Sequence, residues 1–228
     1  MPIFHCSAIL FDLDGVLVDS TPAIIEVWTA WSKANGVDPT QILAVMHGRR
    51  SVEVLQIAAP HVDAAAEVKR IEASITSYKN GTIAIPGAAD LLRSLPEDRW
   101  GVATSGLREY ARARLKAAGL PVPTVLVAAD DVVKGKPDPE PYLKAAELLR
   151  AEPERCLVIE DAPAGIRAAH AGGMKVIGLA STYPAEELGE ADVVVKKLAQ
   201  VAVRGTGDGL VVEVDEQGWT RASNVAIP

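Results

Sequence analysis

Residues 7–20, SAILFDLDGVLVDS, decide how the rest of the chain is read. The apolar run at residues 8–11 has the length and composition of a buried strand. It stops at Asp12 and Asp14, and Gly15 follows at once. Acids at the carboxyl end of a strand in an open α/β sheet lie where ligands bind. With two-residue spacing on an extended chain both acids point the same way, and Gly15 permits a bend or a close backbone approach. Such a pair can share a hard metal ion while one acid stays able to attack a substrate. Alone, the pair equally suits a polar turn or a helix start, where acids are also favoured. The remainder of the chain decides between these readings.

Ser20, Thr21 and Pro22 predict a helix start, and Ile24, Trp28 and Trp31 share one apolar stripe that Gly36 ends. Asp38, Pro39 and Gln41 predict a second start, and further helical stretches cover residues 51–58 and 63–80, with Gly81 as the stop. No segment between Asp19 and Ile83 reads as a strand of a parallel sheet. This is a helical insertion, too long for an ordinary loop and of the size of a small bundle. From Pro86 an α/β rhythm begins. Strands are expected at residues 100–103, 125–128, 156–159, 175–179 and 193–195, with helices at 88–95, 107–118, 139–151 and 166–171. The alternation predicts an α/β fold, a parallel sheet flanked by helices with its polar strand ends on one rim. Residues 1–18 and 87–228 would form a discontinuous core and residues 19–86 the insertion. The alternating tail, with a turn at Gln217 and Gly218, predicts a terminal hairpin or edge strand within residues 207–228.

A chain of 228 residues, 49% hydrophobic and without repeats, reads as one core with an inserted subdomain. Its net charge of −7 argues against a nucleic-acid groove or an anionic membrane surface. Cys6 and Cys156 each adjoin an expected strand and read as core thiols. No signal-like segment opens the sequence and no apolar run is long enough to span a bilayer, so a cytoplasmic protein is expected. Trp28 and Trp31 pack the insertion or mark a contact between copies, which leaves monomer and weak homodimer both open.

Four sets of polar groups fall at or beyond expected strand ends: Asp12 with Asp14, Thr104 with Ser105, Lys136, and Glu160 with Asp161. A parallel sheet brings such positions to one site despite their separation in sequence. No His/Cys cluster has zinc-ligand spacing, whereas clustered carboxylates suit Mg2+. Thr104 and nearby backbone N–H groups can hold phosphoryl oxygens, with Lys136 balancing charge among the acids.

FDLDGVLVDS at residues 11–20, ATSG at 103–106, GKPDPEPY at 135–142 and VIEDAPAGIRAAHAGGM at 158–174 resemble the four ordered motifs of the haloacid dehalogenase superfamily. The resemblance runs from about Ile9 to Val195 and implies that family's Rossmann-like core with a small helical cap after the first motif. It implies Asp12 as the nucleophile that forms an aspartyl-phosphate and Asp14 as general acid and then base. Asp12, Asp14 (through its carbonyl), Glu160 (directly or through water) and Asp161 would hold the metal. Thr104 and Lys136 would hold the transferring phosphoryl group.

HGRR at residues 47–50 is similar to a cap pattern of family members that are 2-deoxyglucose-6-phosphatases and glycerol-3-phosphatases. That likeness implies a small sugar or polyol phosphate as substrate, bound by His47, Arg50, Ser105 and Gly106, while Arg49 braces the turn. A sugar phosphomutase of the β-phosphoglucomutase type is the alternative enzyme. A metabolite-binding protein without catalysis is a third reading, which the complete set of acids disfavours.

Overall fold

The computed structural model describes residues 1–78, 82–207 and 209–215 of the chain. Its strands and helices are, in order, β1 (Ile3–Cys6), β2 (Ala8–Phe11), β3 (Val18–Asp19), α1 (Thr21–Ala34), α2 (Pro39–Leu43), α3 (Ser51–Ala58), α4 (Ala64–Ser77), β4 (Ile83–Ala84), α5 (Ala88–Arg93), β5 (Trp100–Ala103) and α6 (Arg108–Ala117). They continue as β6 (Val125–Val127), α7 (Glu140–Leu148), β7 (Cys156–Glu160), α8 (Pro163–Ala171), β8 (Lys175–Leu179), β9 (Val193–Val195), β10 (Val201–Gly205) and β11 (Leu210–Val214).

Six strands form one parallel sheet in the order β6-β5-β2-β7-β8-β9. The chain fills one side outward from β2, then returns and fills the other from β7. The crevice where that direction reverses lies outside the carboxyl ends of β2 and β7, where this topology places ligands. Alternation along β2 splits the core by face. Ile9 and Phe11 pack with Leu91 and Leu92 of α5 and Leu115 of α6. Ala8 and Leu10 pack with Tyr142 of α7 and Ile166 of α8. Every residue of β2 is buried, and each large apolar side chain so buried stabilises the fold by about 1.5–3 kcal/mol.

The insertion leaves and rejoins the sheet through a two-stranded antiparallel ribbon, with Val18 opposite Ala84 and Asp19 opposite Ile83. Its four helices bury a separate core of their own around Trp28, Trp31, Ile42, Leu55, Ile71 and Ile75. The two tryptophans meet edge to face at 5.7 Å inside it, which accounts for both without an intermolecular contact. Asp38 caps α2 as expected, accepting a bond from the Thr40 N–H. Ser20 does not cap α1: its hydroxyl is spent on Asp14 instead.

The tail differs from expectation. Leu210–Val214 is no edge strand but the centre of a second, three-stranded antiparallel sheet, between β1 and β10. Val212 and Val214 bury its inner side against the face that holds Ile9 and Phe11. Both of its partners escape a period-based reading because they are short and largely exposed. The expected turn at Gln217 and Gly218 and the stop at Gly81 lie outside the described residues. Cys6 and Cys156 are free and buried, and burial pushes their thiols up to about 12 and about 11. Among the described residues no helix is long and apolar enough to cross a membrane.

Candidate active site

The loop after β2 turns back on itself within a few residues. The Gly15 N–H donates to the Val18 carbonyl, and the N–H groups of Leu17 and Val18 both donate to the Leu13 carbonyl. Gly15 takes φ of +86°, and a Cβ there would lie 2.0 Å from Asp161 Oδ2. Glycine is thus required twice, for its conformation and for the approach of an acid from β7. The turn brings Asp12 against Lys136, whose Nζ lies 2.5 Å from Asp12 Oδ1 and 2.7 Å from Glu160 Oε1. All three side chains are buried, and the ammonium also lies 4.7 Å from the centre of the Tyr142 ring.

Glu160 is the most completely bonded member of the group. Besides Lys136, its Oε1 accepts from the Tyr142 hydroxyl at 3.1 Å, and its Oε2 accepts the backbone N–H of Asp161 and of Ala162. It packs onto Gly165 of α8 so closely that a Cβ there would fall 1.6 Å from Oε1. Thr104, at the end of β5, is buried, and its Oγ1 accepts the Gly106 N–H at 3.1 Å.

Oxygen atoms of Asp12, Glu160 and Asp161 lie within 4.8 Å of one another. Burial raises the Asp12 carboxyl to about 7, with Glu160 and Asp14 adding to the rise and Lys136 opposing it. Asp161 is raised well above the carboxylate range by burial, then by Glu160 and Asp12. Burial works against charge on Lys136, but Asp12 and Glu160 outweigh it and hold the ammonium well above its ordinary range. One lysine therefore faces three buried acids. An all-oxygen donor set with surplus negative charge fits a hard divalent cation such as magnesium.

Above this cluster is a cavity of about 70 Å³ between core and insertion. Asp12, Asp14, Thr104, Ser105, Gly106 and Asp161 line it from the core, and His47, Gly48 and Arg49 from the insertion. Ser105 Oγ donates to the Gly48 carbonyl at 2.9 Å, joining the two parts at the cavity edge. The His47 ring meets Tyr183 edge to face at 5.7 Å, and burial lowers its pKa.

Arg50 does not line this cavity. Its Nε and Nη2 bond Glu53 Oε1 at 2.8 and 2.6 Å, and its Nη1 donates to the Val132 carbonyl at 3.3 Å. It fastens α3 to the core, while Arg49, expected to brace the turn, lines the cavity in its place. One position in the turn before α3 separates these outcomes, and HGRR does not reveal which arginine faces inward.

Sequence reasoning missed a polar chain running from the insertion to Asp14. Ser51 Oγ donates to Glu72 Oε1 at 2.7 Å, and Arg114 Nη2 donates to Glu72 Oε2 at 2.8 Å. Arg114 Nη1 donates to Asp14 Oδ2 at 2.9 Å, and Ser20 Oγ donates to Asp14 Oδ1 at 2.5 Å. Burial opposes charge on Arg114, but Asp14 and Glu72 raise its pKa on balance. A signal was present in the sequence. Arg114 falls in phase with Ala111 and Leu115, and Glu72 with Val68 and Ile75, so each is a charge on an apolar helix stripe. Thr182, which also lines the cavity and bonds Asp161, carried no such signal.

The profile of the haloacid dehalogenase-like hydrolases matches residues 6–173. Hexitol phosphatase A of Escherichia coli (strain K12) is 40% identical over 213 residues, which cover 91% of this chain and 99% of that protein. Glycerol-1-phosphate phosphohydrolase 2 of Saccharomyces cerevisiae is 37% identical over 213 residues, 87% of this chain and 85% of its own. The crystal structure of a hydrolase from Pseudomonas syringae superposes with a TM-score of 0.76 at 29% identity, covering 84% of this chain and 94% of that one.

Proposed function

Because this chain belongs to the haloacid dehalogenase-like hydrolases, an enzyme family that its profile match and its relatives establish, we propose that it hydrolyses a small sugar or polyol phosphate through an aspartyl-phosphate. The coarser activity, hydrolysis of a phosphate monoester at an aspartate cluster, follows from that membership and the buried acids. The observation that carries the finer reading is the mixed lining of the cavity. Asp12, Asp14, Asp161 and Thr104 line it from the core, and apolar Trp28, Met46 and Val54 line it from the insertion together with Ser51 and Glu72. A polyol has apolar C–H faces and hydroxyl edges and matches such a lining.

In this reading Lys136 holds Asp12 by one carboxylate oxygen and orients the other for in-line attack on phosphorus. Thr104, which accepts the Gly106 N–H and keeps its own hydroxyl proton to donate, and the backbone N–H of residue 105 hold phosphoryl oxygens. Asp14 gives its proton to the leaving oxygen and then takes one from the water that attacks the phosphoenzyme. Glu160 keeps Lys136 in place. Asp12, Asp161 and the Asp14 carbonyl, with Glu160 directly or through water, would hold magnesium, which neutralises charge on the phosphoryl oxygens when bound. Residues 19–86 act as a cap that seats on the core and excludes bulk water, with His47 and Arg49 facing the substrate.

The test is phosphate release from glycerol 1-phosphate, sorbitol 6-phosphate and 2-deoxyglucose 6-phosphate, with magnesium and with excess EDTA. Magnesium-dependent turnover of at least one is expected. No release, with glucose 1-phosphate converted to its 6-phosphate once primed by a bisphosphate, would overturn the hydrolase reading in favour of a mutase.

A further inference from the structure

Where the insertion meets the core beside Thr104 and Gly106, the polar wall of the cavity is a single bonded unit. Ser51 and Glu72 come from α3 and α4 of the insertion and Arg114 from α6 of the core. Glu72 and Arg114 are both buried, and they join across the seam at 2.8 Å. Trp28, Met46 and Val54 of the insertion add apolar walls to the same cavity.

The charges of this unit decide what it accepts. Arg114 is flanked by two carboxylates, Asp14 at 2.9 Å and Glu72 at 2.8 Å, so it has no positive charge left over for a third. A leaving group bearing its own carboxylate and seated against Glu72 would meet a like charge there, and Arg114, already paired twice, does not offset it in a site shielded from water. An uncharged hydroxylated group faces no such penalty. Its hydroxyls can donate to Glu72 and to Ser51 Oγ, whose own proton is held by Glu72, and can accept from Arg114. Arg114 Nε is buried without a hydrogen-bond partner among the described residues, so the guanidinium has an unspent donor.

We infer that Glu72, held by Ser51 and Arg114, selects an uncharged polyhydroxylated leaving group and rejects one that carries a carboxylate. This rests on the phosphatase reading above and names what chooses among its substrates. Selection and seating are one event, since the pair exists only when the insertion lies against the core. Glu72 is a specificity residue here, and Arg114 also positions Asp14.

The experiment compares kcat/KM for glycerol 1-phosphate with that for 2-phosphoglycolate, in magnesium, for the wild type, Glu72→Gln and Ser51→Ala. The wild type is expected to favour the polyol ester by about a hundredfold or more. Glu72→Gln should cut that ratio at least about tenfold, by losing rate on the polyol ester and gaining it on the acid. Ser51→Ala, which removes only the hydroxyl that fixes Glu72, should cut it about threefold and supplies the readout if Glu72→Gln does not fold. An equal fall on both esters would make Glu72 a structural support for Arg114 and overturn the inference. So would a wild type that uses both esters alike, although the phosphatase reading would stand. Failure of the wild type on every ester would overturn that reading, and the inference with it.

Discussion

At the sheet end of the cavity, Asp12, Thr104 and Asp161 each follow a parallel strand directly, so ladder bonds between β2, β5 and β7 set their positions. Ser51, Glu72 and Arg114, which line the same cavity, ride instead on three helices, two of them in an insertion whose hydrophobic core is its own. The first group is rigid by construction. The second exists only as long as the insertion is seated, held by contacts such as Ser105 to the Gly48 carbonyl and Arg50 to the Val132 carbonyl. Rocking the insertion would part Glu72 from Arg114 and leave Asp12, Lys136 and Glu160 where they are. On the proposed reading, the group that attacks phosphorus sits on the strand-borne side, and the groups that choose a substrate sit where closure completes them.

The largest expected difference between the two groups is in stability. Lys136→Met leaves three buried acids without their cation and should cost about 3–5 kcal/mol. For a chain of this size that is a fall of about 6–20 °C in the unfolding midpoint, measured in EDTA. An unchanged midpoint would mean that the acids are not coupled through Lys136.

Magnesium should act next most strongly, and more so as pH rises. Asp12 is raised to about 7 and Asp161 well above its usual range, so both hold protons more tightly folded than unfolded. Stability from such groups is lost as pH climbs from about 4, the unfolded value, through 7. A cation that binds the deprotonated cluster restores it, because binding competes with protons for the same oxygens. Thermal unfolding at about pH 5 and pH 8 should show the larger magnesium shift at pH 8, about 5–10 °C at a hundredfold excess over Kd. Equal shifts at both values would contradict the assignment of the acids to a metal site.

The smallest effects should separate the neighbouring arginines. Arg49→Ala should raise KM for a polyol ester about five- to tenfold. Arg50→Ala, which removes a fastening of α3 to the core, should change KM less and lower the midpoint by about 1–3 °C. The opposite ranking of KM would return Arg50 to the pocket.

This division also explains how much of the molecule could be read from its sequence. The six parallel strands were legible because each is a short apolar run bounded by turn residues, and polar groups at their ends then converge by topology alone. Asp12, Thr104, Lys136, Glu160 and Asp161 were found in that way. The helix-borne group depends on which face of a helix a residue occupies and which helix it meets, neither of which spacing fixes. HGRR names a turn that lines the cavity, but its spacing does not tell Arg49 from Arg50. Arg114 and Glu72 lie 42 positions apart and become partners only when the insertion docks. Their one trace was a charge on each apolar stripe, a mark that a buried ion pair leaves on any fold. The exposed strands β1 and β10 were missed because they offer only half of an alternating pattern to the core.

The most direct measurement is capture of the covalent intermediate. The enzyme is mixed with magnesium and glycerol 1-phosphate labelled with 32P, quenched in acid within milliseconds and digested. Label should be found on the peptide that contains Asp12, should be released by hydroxylamine as an acyl phosphate is, and should be absent from Asp12→Asn. Turnover by the wild type with no label on protein at any quench time, or undiminished turnover by Asp12→Asn, would contradict the assignment of Asp12 as the group that attacks phosphorus.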